Sequence, residues 1–458
     1  MNYEEFLKQK DFVLESSGFD VDKSELNSKM FDFQKDIVRW ALKKGRACVF
    51  SGCGTGKSVI QLSWAHQVHK HTGGRILIVA PLTVADQTKR EAEKFGYDAK
   101  VCESQADCIN GINITNYEKL EKFVAKEFFG VVLDESSILK SYTGKVRNQI
   151  IEMFANTPYK LACTATPAPN DYMELGNHSE FCGVMTRAEM LAMFFVHDGG
   201  QTSKWRLKGH AKDIFWQWMA SWSVFLDNPK DLGYSVSGYD LPPLHINEII
   251  VDGDEPIVES LTLTERREAR KESLDLRCQK AAELVNNSDE QWLVWCDLNA
   301  ESEKLHELIH DSVEVKGSDK PKYKTESILG FTDGKIKALV TKASIAGYGI
   351  NWQNCHNMIF TGISDSFEAF YQAVRRCWRF GQDKEVNVYI IISAKEGCVK
   401  ENIERKQRDF EAMRDAMVDL TKEITKKELR QTCRISTPYE PKVEMKLPEW
   451  EEFRSECA

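Results

Sequence analysis

SGCGTGKS, Ser51 to Ser58, decides the reading of this chain. Gly52, Gly54 and Gly56 let the backbone turn so that successive N–H groups converge on one point, with Cys53 and Thr55 between them and Lys57 directly after. Between a strand and a helix, such a turn cradles phosphates: its amides bind the oxygens, Lys57 neutralises the outer phosphates, and Ser58 is placed to ligate Mg2+. The apolar run Ala47 to Phe50 supplies the strand. Strict versions of the pattern begin with glycine where Ser51 stands.

Working outward, Phe33, Ile37, Trp40 and Ala41 recur at helical spacing before a Lys43, Lys44, Gly45 ending, with Asp32 as the expected cap. Short apolar runs follow at Ile76 to Val79, Ile112 to Ile114, Gly130 to Leu133 and Leu161 to Cys163. Separated by polar or helical segments, they predict a parallel sheet covered by helices. The run Val131 to Leu133 leads into Asp134 and Glu135, so two carboxylates stand at the carboxyl end of a strand, where such sheets bind ligands. An Asp-Glu pair there is otherwise a solvated loop. Downstream of a phosphate cradle it suits Asp134 to metal binding and Glu135 to orienting and deprotonating water.

QAVRRCWRFGQ, Gln372 to Gln382, is the second informative stretch. On a helix, Arg376 and Arg379 would project from one face, and guanidinium groups suit phosphate oxygens. A basic surface helix is the plainer alternative; Arg375, off that face, is structural or faces nucleic acid.

At 458 residues the chain exceeds what one core usually supports. With 42% hydrophobic and 29% charged residues it is globular, not disordered. Its net charge of −9 removes any case for nucleic-acid binding from bulk basicity, though a local basic groove stays open. The polar start MNYEEFLKQKDF lacks the apolar core of a signal peptide and no long apolar run suggests a membrane span, so the expected location is the cytoplasm. Thirteen cysteines without a CxxC pair point to reduced, mostly buried thiols and no cysteine-bound metal.

A second series of apolar runs, Trp292 to Trp295, Leu339 to Thr341, Met358 to Phe360 and Val386 to Ile391, follows Pro242 and Pro243. The fold expected is therefore α/β, with two tandem P-loop-type lobes. The boundaries drawn are an N-terminal segment 1–29, lobe 1 at 30–174, an aromatic-rich helical insertion at 175–240, lobe 2 at 241–398, and a helical brace and tail at 399–458. In the insertion, Phe215, Trp218, Trp222 and Phe225 read as a helical packing stripe in preference to a base-stacking one. Lys204, Arg206 and Lys208 around Trp205 stay open between a surface strand and a backbone track. The brace rests on Val399, Ile403, Phe410, Met413, Met417, Leu420 and Ile424 at helical spacing, before Pro438, Pro441 and Pro448.

Taken together, these motifs resemble the superfamily 2 helicases of the DEAD/DEAH type, and within them the Swi/Snf-like translocases, particularly those encoded by bacteriophages and prophages. The resemblance spans nearly the whole chain. Besides the cradle and DESS it includes Phe33 and Gln34, APLTVADQ at Ala80 to Gln87, ITNY at Ile114 to Tyr117 and TATPAPN at Thr164 to Asn170, then WLVWC at Trp292 to Cys296, GYGINWQ at Gly347 to Gln353, and the arginine stretch. It implies two RecA-like lobes that sandwich ATP and Mg2+, with Gln34 recognising adenine and Gly349 and Gln372 lining the interlobe site. Arg376 and Arg379 would act as arginine fingers. Thr164 and Thr166 would link hydrolysis to movement, and Pro81, Thr83, Thr115, Asn116, Tyr117 and Asn351 would lie near the nucleic-acid track.

Two departures stand out: Ser137 replaces the His or Asp usual at the fourth place of the Asp-Glu box, leaving open how that box communicates with the threonine motif, and Arg375 fills an often acidic position. The activity expected is ATP-dependent movement on DNA, duplex favoured and single-stranded open, with RNA less favoured. Replication, recombination or repair proteins are candidate partners, no membrane is involved, and a phage-encoded protein would work in the host cytoplasm. A nucleotide-gated DNA clamp that recruits such factors is the rival from another class. A small-molecule P-loop kinase would leave the paired arginines and the ITNY and TATP elements without a task.

Overall fold

The computed structural model describes residues 16–82, 84–141, 143–169, 171–197, 205–252, 263–346, 351–362, 366–394 and 397–430. Its first sheet has seven parallel strands in the order β3-β4-β2-β5-β6-β1-β9. These are β1 (Arg46–Ser51), β2 (Arg75–Ala80), β3 (Ala99–Val101), β4 (Ile112–Asn116), β5 (Phe128–Asp134), β6 (Tyr159–Thr164) and β9 (Ser223–Leu226). A small antiparallel pair, β7 (Phe195–His197) and β8 (Trp205–Leu207), stands apart. The second sheet, β10-β15-β14-β11-β13-β12, is also parallel. It comprises β10 (Leu244–Ile250), β11 (Trp292–Cys296), β12 (Ser312–Val315), β13 (Ala338–Lys342), β14 (Asn357–Phe360) and β15 (Val386–Ile392). The chain is thus two parallel-sheet α/β lobes in tandem.

Parallel strands buried on both faces need continuous apolar runs, and β1, β2, β5, β6, β11 and β14 carry them. Strand β9 departs from expectation. It comes from the segment read as an insertion and pairs Cys48 to Ser51 with Ser223 to Leu226, completing the edge of the first sheet. Phe225 therefore sits on a strand, not in the helical stripe. The helix Lys212–Trp222 does bury Phe215, Trp218 and Trp222 in the first lobe's core, the packing role preferred from sequence.

The first helix begins at Asp32, but its N-cap is Phe31, and Gln34 Oε1 accepts the Phe31 N–H at 3.0 Å. Asp32 falls inside the first turn, so the cap expected there is displaced by one residue. After β15, the helix Gly397–Arg430 packs against the first lobe: Met417 enters its core, Lys44 pairs with Glu428 at 3.1 Å, and Arg414 lies 3.8 Å from Asp227. The side chains of Val399, Ile403 and Phe410, and the proline-bearing tail, lie outside the described residues.

In the second lobe Arg277 and Glu301 are paired at 2.7 Å with both side chains wholly buried. Arg277 also donates to Ser273 Oγ and to the Arg270 carbonyl, while Glu301 Oε2 accepts from the Asp297 and Leu298 N–H groups at the start of the helix Asn299–Leu308. Breaking such a pair strands a buried charge, so Arg277→Met should cost about 3–5 kcal/mol and lower the urea midpoint. Removing both charges as Arg277→Met with Glu301→Leu should recover much of the loss. An unchanged midpoint in the single variant would show the pair to be energetically idle.

Candidate active site

All strands of the first sheet run parallel, so their carboxyl ends share one edge. Register fixes the neighbours: Phe50 on β1 lies opposite Thr164 on β6, and Asp134 on β5 opposite Cys163. The phosphate-type loop, the Asp-Glu pair and the threonine motif are brought together by this alignment.

Strand β1 stays extended through Ser51, a conformation any residue adopts, which is why serine replaces the usual glycine there. The Thr55 hydroxyl lies 2.9 Å from Ser51 Oγ and 2.8 Å from the Gly52 carbonyl, tying the loop closed. Gly54 and Gly56 have φ of 91° and 87°, the left-handed region that favours glycine. A Cβ at Gly56 would also come within 2.2 Å of Gln34 Nε2, which donates to the Thr55 carbonyl at 3.0 Å. Lys57 opens the following helix, with Nζ 2.9 Å from the Ser51 carbonyl and 3.3 Å from that of Gly52.

Strand β5 ends on Asp134, whose Oδ1 accepts from Gln61 Nε2 at 2.6 Å. Gln61 escaped the sequence reading, although its place four residues after Lys57 puts it on the same helix face. Glu135 has φ 49°, and its Oε2 lies 3.4 Å from Thr164 Oγ1. A non-glycine residue in that region is uncommon and marks a turn the surroundings enforce. Burial pushes both carboxyls above their usual range; the Gln61 bond and Lys57 oppose this at Asp134, while Lys57 opposes and the Asp134 charge adds to it at Glu135.

From the second lobe, the helix Phe367–Val374 ends before the arginines, so Arg376 and Arg379 do not share a helix face as the spacing suggested. The chain goes on in tight turns because the Arg376 carbonyl is taken by the Trp352 N–H at 2.9 Å, while the Arg376 and Cys377 N–H groups turn to carbonyls three residues back. Both guanidiniums nonetheless line the same cleft as Lys57, Ser58, Asp134 and Glu135. Burial, with Arg376 close by, pulls the Arg379 guanidinium down to about 10. Gln372 Oε1 accepts from Arg376 Nη2 at 2.9 Å and lies 3.7 Å from Cys53 Sγ, while its Nε2 is buried and has no hydrogen-bond partner among the described residues. Arg375 is buried, donates to the Cys53 carbonyl at 3.3 Å and packs on the Tyr371 and Trp378 rings, so its contacts are within the protein.

The cleft between the lobes encloses ≈ 310 Å³. Gln34, Cys53, Gly54, Gly56 and Asn351 also line it, and Phe31, Tyr239 and Phe380 form an aromatic wall in which the Tyr239 and Phe380 rings are 4.6 Å apart. No sequence signal singled out these rings, which come from the helix cap, the interlobe connection and the arginine turn.

Three residues expected near the nucleic-acid track are buried instead. Thr115 donates to the Cys102 carbonyl at 3.1 Å, Tyr117 to the Asp134 carbonyl at 2.7 Å, and Asn116 is enclosed. Residues of a parallel strand's end are exposed only where the next loop leaves them so, and here Tyr117 turns inward. Pro81 is partly exposed. Thr83, Gly349, Asn170 and Lys204 lie outside the described residues. Around Trp205, Lys208 Nζ donates to the Ala192 and Met193 carbonyls at 2.9 Å each, a helix-end contact. Arg206 is exposed and Trp205 lies against His197, with ring centroids 3.6 Å apart.

Residues 27–169 match the family model described as type III restriction enzyme, res subunit, and residues 277–381 match that of the helicase conserved C-terminal domain. Among solved structures, the chain is similar to the Sulfolobus solfataricus SWI2/SNF2 ATPase core in complex with double-stranded DNA, at 16% identity and a TM-score of 0.43, covering 91% of this chain and 99% of that one. No curated protein matches the chain. With a phosphate-type loop in one lobe facing arginines of the other, the two family matches define a helicase-type ATPase of superfamily 2. It is an ATP-dependent nucleic-acid motor. Among the described residues no helix is long and apolar enough to cross a membrane.

Proposed function

We propose that the protein couples ATP hydrolysis to movement along DNA, duplex in preference to single strands, as a Swi/Snf-like translocase of the phage-encoded kind. The observation that carries this reading is the cleft itself, whose phosphate-binding and arginine-bearing walls belong to different lobes, so that nucleotide state and lobe separation are linked. The match of the first lobe to a restriction-enzyme subunit supports DNA over RNA as the track.

The loop amides from Gly52 to Ser58 and Lys57 bind the phosphates, and Gln34 faces the base. Mg2+ prefers hard oxygen donors and keeps several waters, so Ser58 and Asp134, with Asp134 steadied by Gln61, fit it. When bound, the ion neutralises phosphate charge. Glu135 orients and deprotonates water, and Arg376 and Arg379 supply positive charge where the transition state gains negative charge. Gln372, bonded to Arg376 and close to Cys53, holds that arginine beside the phosphate loop. Thr164 and Thr166 connect Glu135 to the second lobe. We assign residues 30–174 with β9 to the first lobe and 241–398 to the second, with the helix after 399 as a brace.

Parallel ATPase assays with duplex DNA, single-stranded DNA and RNA test the reading. Duplex DNA should raise turnover about tenfold or more, a difference of ~1.4 kcal/mol in barrier, and the effect should fade as salt weakens phosphate contacts. Triplex displacement should then accompany hydrolysis. Stimulation by RNA alone would transfer the track to RNA, and stimulation without triplex displacement would favour the clamp.

A further inference from the structure

Glu368 lies in the first turn of the helix Phe367–Val374, four residues before Gln372 and so on the same helix face, yet its buried carboxylate reaches into the first lobe. Its Oε1 accepts from Thr166 Oγ1 at 3.0 Å, and its Oε2 pairs with Lys140 Nζ. The Thr166 N–H donates to Thr164 Oγ1 at 3.1 Å, and that hydroxyl faces Glu135 Oε2 at 3.4 Å. Lys140 closes the turn Ser136–Lys140 that leaves Glu135, and its carbonyl is held by Asn177 Nδ2 at 3.2 Å. One side chain of the second lobe thus grips both the threonine segment that touches Glu135 and the turn that follows it.

We propose that Glu368 is a positioning residue through which the second lobe sets the geometry of Glu135. This rests on the reading of Glu135 as the group that orients water. The sequence left open how an Asp-Glu box with Ser137 in its fourth place communicates with the threonine motif; the structure routes that link through Glu135 and Thr164 and ties it to the second lobe by this carboxylate. A carboxylate suits the place because it accepts from a hydroxyl and an ammonium at once, and such charge-assisted bonds are the stronger kind. Movement of the second lobe away from the first would withdraw it from both partners and leave Glu135 without that support.

Steady-state ATPase of Glu368→Gln, Lys140→Met and the double variant, with duplex DNA, tests the proposal. Glu368→Gln should lower kcat about tenfold or more, with KM for ATP and Tm near wild type. Lys140→Met should lower kcat less, and the double variant should be no slower than Glu368→Gln, because the two residues share one path. A Glu368→Gln protein with wild-type kcat overturns the role, as do effects that multiply in the double variant or a loss confined to Tm and KM. A wild-type protein without ATP turnover overturns the underlying reading of Glu135 as well; an active wild type beside an equally active Glu368→Gln overturns the positioning role alone.

Discussion

Lys57→Ala is expected to leave no measurable ATP turnover while folding normally. The Lys57 ammonium donates to the Ser51 and Gly52 carbonyls and lines the cleft, so its removal opens no core cavity. Its charge is what the site lacks most without it. Asp134 is buried and Glu135 half-buried, and Lys57 is among the groups that hold their charged forms in place. Phosphates brought into that environment would meet two anions with one cation fewer. Loss of a single preorganised donor costs ~10²–10³ in kcat in other enzymes, and the unbalanced carboxylates add to it here. Phosphate-release assays at saturating ATP decide the matter, and a wild-type rate in this variant would falsify the nucleotide cradle.

Glu135→Gln should separate binding from chemistry. Glutamine keeps the shape and an acceptor for the Thr164 hydroxyl, and it tolerates the same left-handed backbone, so nucleotide affinity and Tm should stay close to wild type. A positioned base contributes ~10²–10⁴-fold, and kcat should fall by that order. The pH dependence has a definite sign. Glu135 works as a base only when ionised, and burial raises its pKa, so wild-type activity should fall away at a pH above the ordinary glutamate value of about 4.3. The variant should lack that limb. In stability the same burial makes ionised Glu135 a cost to the fold, present above the raised pKa and relieved as pH falls below it. Full turnover in Glu135→Gln would show that another group positions the water.

The parts of this site legible in the sequence were those whose chemistry is local. A glycine turn needs particular residues at particular positions, and Gly54 and Gly56 occupy backbone conformations that favour glycine. Buried parallel strands need unbroken apolar runs, and each run singled out lies within a strand. Short or polar strands gave no such signal: Ser312–Val315 interleaves polar residues, and Ser223–Leu226 follows an aromatic helix so closely that Phe225 blends into its pattern. Spacing alone also put Arg376 and Arg379 on a helix that in fact ends at Val374, before either of them, since the Trp352 N–H that takes the Arg376 carbonyl comes from a distant loop.

By itself, then, the sequence determined a two-lobed α/β chain with a phosphate-type loop, a strand-end carboxylate pair and arginines suited to phosphate, because turn chemistry and hydrophobic periodicity act over a few residues. Only the tertiary structure decided that Thr115 to Tyr117 face inward, that Gln61 holds Asp134, and that Arg375 clamps the loop while Glu368 reaches Thr166 and Lys140. Those contacts join residues as far as 322 positions apart. They depend on how two separately folded sheets meet, and no local preference of the chain encodes that meeting.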